Sequence, residues 1–191
     1  VMIIFLASLA GLPMPLTVIQ LLWLNLLTDG APALALAMEK GDPNIMESKP
    51  RPKEESIIHG PMKIGIVVQT IMQTGAVLTA FLVGLYFVMQ SQIPAGQNAL
   101  SFLLRYDWVG SKVDVQTAES MAFLTLALCE LFRAYTVRSE KMSVFKLGIF
   151  CYKYMQYAVG LSILLTLLVV IVPFLQPIFN THMPTATEWV V

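Results

Sequence analysis

Asn25, Thr28 and Asp29 lie within "QLLWLNLLTDGAPALALAM", residues 20–38, a run otherwise apolar enough to enter a membrane. Their offsets of three and four put all three on one helical face. A carboxylate at the centre of a membrane helix costs about 2.5–3.5 kcal/mol on insertion scales. It is tolerated where it faces protein, a water-filled cavity or a cation. The oxygens on offer are an amide carbonyl, a hydroxyl and a carboxylate. Such hard ligands suit Ca²⁺, which takes about six to eight oxygens in flexible geometry, whereas Zn²⁺ prefers His or Cys. The plainer alternative is an Asp29 that hydrogen-bonds a neighbouring helix.

Gly30 and Pro32 follow at once. Pro32 has no N–H, and its ring clashes with the carbonyl four residues back, that of Thr28. Gly30 lowers the cost of leaving helical geometry. The pair predicts a helix break that frees carbonyls beside the acid, a device transporters use for ion sites. A passive kink is the alternative. A second acid, Glu130, lies in "AFLTLALCELFRAY". It reaches the Asp29 site if the two helices pack together, or else pairs with Arg133 three residues on. Neither His59 nor His182 falls near these residues in sequence, and Cys129 and Cys151 are expected as reduced thiols.

The elements that must hold these side chains are membrane helices. Mean hydropathy is +0.71 and only 13% of residues are charged, against about a quarter in soluble domains. The formal charge is zero, so nothing points to nucleic acid. Segments 16–38, 62–90, 118–136 and 154–173 are each of a length to cross the hydrocarbon core. Residues 1–11 look like the tail of a further span, and "TEWVV" like the start of another. Of 12 Lys and Arg residues, five fall between 39 and 63 and five between 133 and 153. Basic loops stay cytoplasmic, which places loops 39–61 and 137–153 inside. The Pro-rich first loop, "EKGDPNIMESKPRPKEESIIHGP", reads as an extended connector, either solvated or docked on other protein. Ala76, Ala80 and Gly84 recur every four residues, a spacing that lets another helix approach closely. The opening "VMIIFLASLAGLPMPL" begins without Met and already apolar, as if continuing from something longer.

The run "LPMPLTVIQLLWLNLLTDGAPALALAMEKGDPNIMESKPRPKEESII" resembles the fifth-to-sixth helix hairpin and following loop of P-type cation-transporting ATPases. It is most similar to calcium pumps of sarcoplasmic-reticulum type and their bacterial relatives. "NLLTDG", the preceding "GLP" turn and the "IMESKPRPKEESII" tail stand in the family's order. The resemblance covers residues 1–191, from the end of helix five to the start of helix ten. It implies an all-α polytopic transmembrane bundle forming the C-terminal membrane domain of such a pump. The family's sixth-helix ion ligands fall on Asn25, Thr28 and Asp29, and its eighth-helix ligand on Glu130. Arg133 stands where sodium–potassium pumps have a carboxylate, and Thr28 where secretory-pathway and plasma-membrane calcium pumps usually have Met.

What the resemblance implies for function is ATP-driven Ca²⁺ export from the cytosol, with a pump for Mn²⁺ or Na⁺ as the alternative. A non-catalytic membrane scaffold is the reading from a different class. No "DKTGT" motif occurs, so this chain alone has no aspartate to accept phosphate. ATP and Mg²⁺ are expected to serve the parent protein and not to be bound here. Implied partners are the lipid bilayer and the remaining helices and cytoplasmic domains of the same polypeptide. The expected location is an integral, multi-pass one, in the plasma membrane if the source is bacterial.

Overall fold

The computed structural model describes residues 1–38, 60–90, 98–108, 113–137 and 152–183; for residues 28, 29 and 61 it describes the backbone alone. The described residues form helices and no strand. The short α1 (Met2–Leu9) ends at Ala10, and Gly11 takes a left-handed φ of 70°. Gly11 N–H then donates to the Ser8 carbonyl and Leu12 N–H to that of Ala7. This paired closure satisfies carbonyls that the last turn leaves without partners. Pro13 and Pro15 carry the chain through the turn, and Thr17 starts the next helix with a capping box. The Thr17 hydroxyl accepts from Gln20 N–H at 3.3 Å, and Gln20 Oε1 accepts from Thr17 N–H at 3.0 Å.

That helix, α2 (Val18–Asp29), stops at Gly30, and α3 (Ala31–Ala37) continues beyond it with Pro32 in its first turn. Loop 39–59 lies outside the described residues. The 30-residue α4 (Gly60–Met89) is about 45 Å long, more than the hydrocarbon core needs. A short α5 (Ala99–Arg105) follows, then α6 (Gln116–Thr136). Residues 138–151, which include most of the second basic loop and Cys151, lie outside the described residues. The last helices among the described residues are α7 (Lys153–Ile171) and α8 (Gln176–Phe179), the latter closed by Asn180 in the left-handed region at φ 51°. The "TEWVV" end is also outside the described residues.

By length and composition, α2 with α3, α4 and α7 are able to cross a membrane. The segment expected at 118–136 is not among them. Its helix, α6, carries Glu119, Glu130 and Arg133 and lies in the middle of the bundle, with eleven residues buried. A helix walled by protein needs no lipophilic exterior. The outer helices show the opposite arrangement. On α7, Tyr157, Leu161, Leu164 and Leu168 form an exposed apolar stripe at offsets of four, three and four. Its buried face instead holds Ser162 and Thr166 among Met155, Ala158, Val159, Val169 and Val170.

Where α4 crosses α6, Gly84 sits against Ala118: a β-carbon built on Gly84 would lie 2.6 Å from the Ala118 Cα. Ala80 is buried in the same interface, but Ala76 is exposed. A period of four overshoots the 3.6-residue turn by about 40° per step, so the small-residue row leaves the interface within two steps.

Among the described residues the interior divides into two clusters. The larger contains Leu24, Val77, Phe81, Leu85, Phe123 and Val169, and the smaller Ala35, Leu131, Ala134, Met155, Ala158 and Val159. At one end of the bundle, buried Gln20 donates to the Phe179 carbonyl at 3.0 Å. There Asn180 Nδ2 donates to Glu119 at 2.6 Å, and Gln116 Nε2 donates to Asn180 Oδ1 at 2.7 Å. The backbone N–H of His182 donates to Ser120 Oγ at 2.8 Å. Lys63, Arg133 and Lys153 belong to the opposite helix ends, at the start of α4, the end of α6 and the start of α7.

Candidate ion site

The break between α2 and α3 is built into the backbone. Gly30 has φ −78° and ψ −97°, while its N–H still donates to the Leu26 carbonyl at 3.2 Å. A β-carbon at residue 30 would lie 2.6 Å from that same carbonyl oxygen, so only glycine fits this approach. Pro32 is fully buried at the start of α3. The last carbonyls of a helix have no partner within it, and one of them, that of Leu27, accepts from the buried Ser162 Oγ of α7 at 3.3 Å. The remaining carbonyls of this turn lie beside Asn25, Thr28 and Asp29 in the chain.

Asn25 and Glu130, 105 residues apart in the chain, line one cavity of about 430 Å³ between α1, α2, α4 and α6. Thr70, Gln73 and Thr74 of α4 and Arg133 of α6 complete its polar lining, and Ile3, Leu16, Leu21, Leu24 and Leu126 supply apolar wall. Thr28 and Asp29 continue the helix from Asn25 as its last two residues, with only their backbone described. The oxygens brought to the cavity by described side chains are those of two amides, two threonine hydroxyls and one carboxylate. That donor set favours a hard cation over a soft one. Among the described residues, no three of His, Cys, Asp and Glu converge.

Of the two alternatives for Glu130, the structure gives the pair with Arg133, and it also brings Glu130 into the cavity lined by Asn25. Its Oε2 lies 4.0 Å from Arg133 Nη1 on the same helix, a long and partly exposed pair worth little. Its Oε1 accepts from Gln73 Nε2 at 2.8 Å across the α4–α6 interface. Thr70, Gln73 and Thr74 were not singled out from the sequence. The signal was available, because residues 70, 73 and 74 repeat the spacing of residues 25, 28 and 29 on another apolar helix.

A family model described as "Cation transporting ATPase, C-terminus" matches residues 13–191. The chain belongs to this family. As a cation-transporting ATPase C-terminal region it is similar to calcium-transporting ATPase 1 of Bacillus cereus, at 31% identity over 189 residues. That alignment covers 97% of this chain and 20% of the relative. The calcium-transporting ATPase of Bacillus subtilis is 35% identical over 189 residues, covering 99% of this chain and 18% of the relative. Calcium-transporting ATPase 1 of Yarrowia lipolytica is 34% identical over 180 residues, covering 94% and 17%. The chain thus spans about a fifth of the length of the curated relatives it matches.

Proposed function

We propose that this chain forms part of the ion-binding membrane domain of an ATP-driven pump that exports Ca²⁺ from the cytosol. The observation that carries the reading is the shared cavity of Asn25 and Glu130 beside the helix break at Gly30. Family membership supports it, as do the names of the relatives, which are calcium-transporting ATPases. Asn25 and Thr28 act as neutral ligands, Asp29 as the carboxylate that joins the two sides of the site, and Glu130 as the acid from α6. In this reading α6 also crosses the membrane, shielded from lipid by its neighbours. The end bearing Lys63, Arg133 and Lys153 is cytoplasmic, following the rule for basic loops. ATP and Mg²⁺ are handled by other parts of the pump, which resides in the plasma membrane if the source is bacterial.

The test is phosphorylation of the complete pump by radiolabelled ATP with Ca²⁺, Mn²⁺ or Na⁺ supplied in turn. Acid-stable label should form with Ca²⁺ and disappear in Asp29→Asn. Label that forms only with another ion would replace the substrate. Undiminished Ca²⁺-dependent label in Asp29→Asn would overturn the site.

A further inference from the structure

We propose that Gln73 of α4 is a positioning residue for Glu130, holding its carboxylate in the cavity in the geometry that accepts a cation. This rests on the reading of Glu130 as an ion ligand. An ionised carboxylate can only accept hydrogen bonds, so the amide of Gln73 must turn its N–H toward Glu130. The resulting contact of 2.8 Å is the shortest polar contact of this carboxylate among the described residues; Arg133 stands at 4.0 Å. The two partners have different electrostatic consequences. A cationic donor at that distance would neutralise the acid and repel an incoming ion. A neutral amide fixes one oxygen and leaves the full negative charge to the ligand. It also acts from a different helix, so the position of the acid is tied to the α4–α6 interface as well as to its own rotamer. Gln73 is half-buried and Thr74 beside it is buried, which limits the room for the amide to swing away. The other polar side chains lining the cavity among the described residues are Asn25, Thr70, Thr74 and Arg133.

The experiment measures half-saturating Ca²⁺ for phosphoenzyme formation in the complete pump. Gln73→Met keeps the volume and removes the donor; it should raise the half-saturating concentration about fivefold, the worth of one net hydrogen bond. Gln73→Asn keeps an amide and shortens its reach by one carbon, and should give the same shift, so a Met variant that fails to fold leaves the question answerable. In a Glu130→Ala background, Gln73→Met should add no further shift, because the acceptor it holds is gone. A merely structural Gln73 would lower the yield of folded pump and leave half-saturation in place. Unchanged half-saturation in both Gln73 variants, or shifts that add to that of Glu130→Ala, would overturn the positioning role while leaving Glu130 as a ligand. A Glu130→Ala pump with unaltered Ca²⁺ dependence would overturn the ligand reading itself, and the inference with it.

Discussion

Replacing Gly84 with alanine adds one carbon at the closest approach of α4 and α6. That carbon would meet the Ala118 Cα at 2.6 Å, the Ala118 Cβ at 3.0 Å and the Met121 Sδ at 3.2 Å. Non-bonded carbons rest at about 3.5–4.0 Å, so the helices must part by roughly 1 Å. Overpacking of this kind costs about 1–3 kcal/mol. Gly75→Ala is the matched control, since a β-carbon there meets nothing within 4 Å. Both variants gain the same helix propensity of about 0.5–1 kcal/mol, which cancels between them. Their difference in unfolding free energy should therefore be about 1–3 kcal/mol, Gly84→Ala being the weaker. Reversible unfolding in mixed detergent micelles, followed by helical circular dichroism, measures it. Adding Ala118→Gly to the Gly84 variant should rescue only part of the loss, because the nearest atom is a backbone carbon that remains. Equal stabilities for the two alanine variants would refute the packing argument, and complete rescue would show that the Ala118 methyl sets the limit.

Two further outcomes follow from the end of the bundle that holds α8. Gln20→Leu removes half of the capping box and the bond to the Phe179 carbonyl, and should cost about 1–3 kcal/mol in the same unfolding assay. Asn180→Gly keeps the left-handed backbone but loses the bonds to Glu119 and Gln116, whereas Asn180→Val also forces a branched side chain to φ 51°. The valine variant should be the less stable of the two by about 1–2 kcal/mol, and equal midpoints would count against the backbone requirement.

What was legible in the sequence was mostly local. The interruption of the helix depends on Gly30, Pro32 and the four residues before them, all neighbours in the chain. The cap formed by Thr17 and Gln20 is equally local, though it was not singled out from the sequence. The segment around α6 was legible as a helix but its standing in the bundle was not. Burial by protein and burial by lipid select for similar side chains, and the balance between them is set by where other helices lie. Gln73 shows the same limit at the site. The role proposed for it rests on a contact with a residue 57 positions away, which fixes a relative rotation of α4 and α6 that no single-helix pattern contains. On α7, the uniform hydropathy hides the inward face, and Ser162 and Thr166 are the marks that reveal it.

The two interior clusters have a mechanical consequence when set beside the joint at Gly30. α2 is seated in the larger cluster through Leu24, while α3 is seated in the smaller one through Ala35, against the first half of α7. The two halves of one span are thus seated in different clusters, which α6 and α7 connect. A seven-residue arm such as α3 reaches about 10 Å, so a tilt of about 10° at Gly30 carries its far end by about 2 Å. The same tilt leaves Asn25, on the other side of the pivot, close to its place. A tilt between α2 and α3 is thereby concentrated in the backbone at Gly30, next in the chain to the residues proposed as ion ligands.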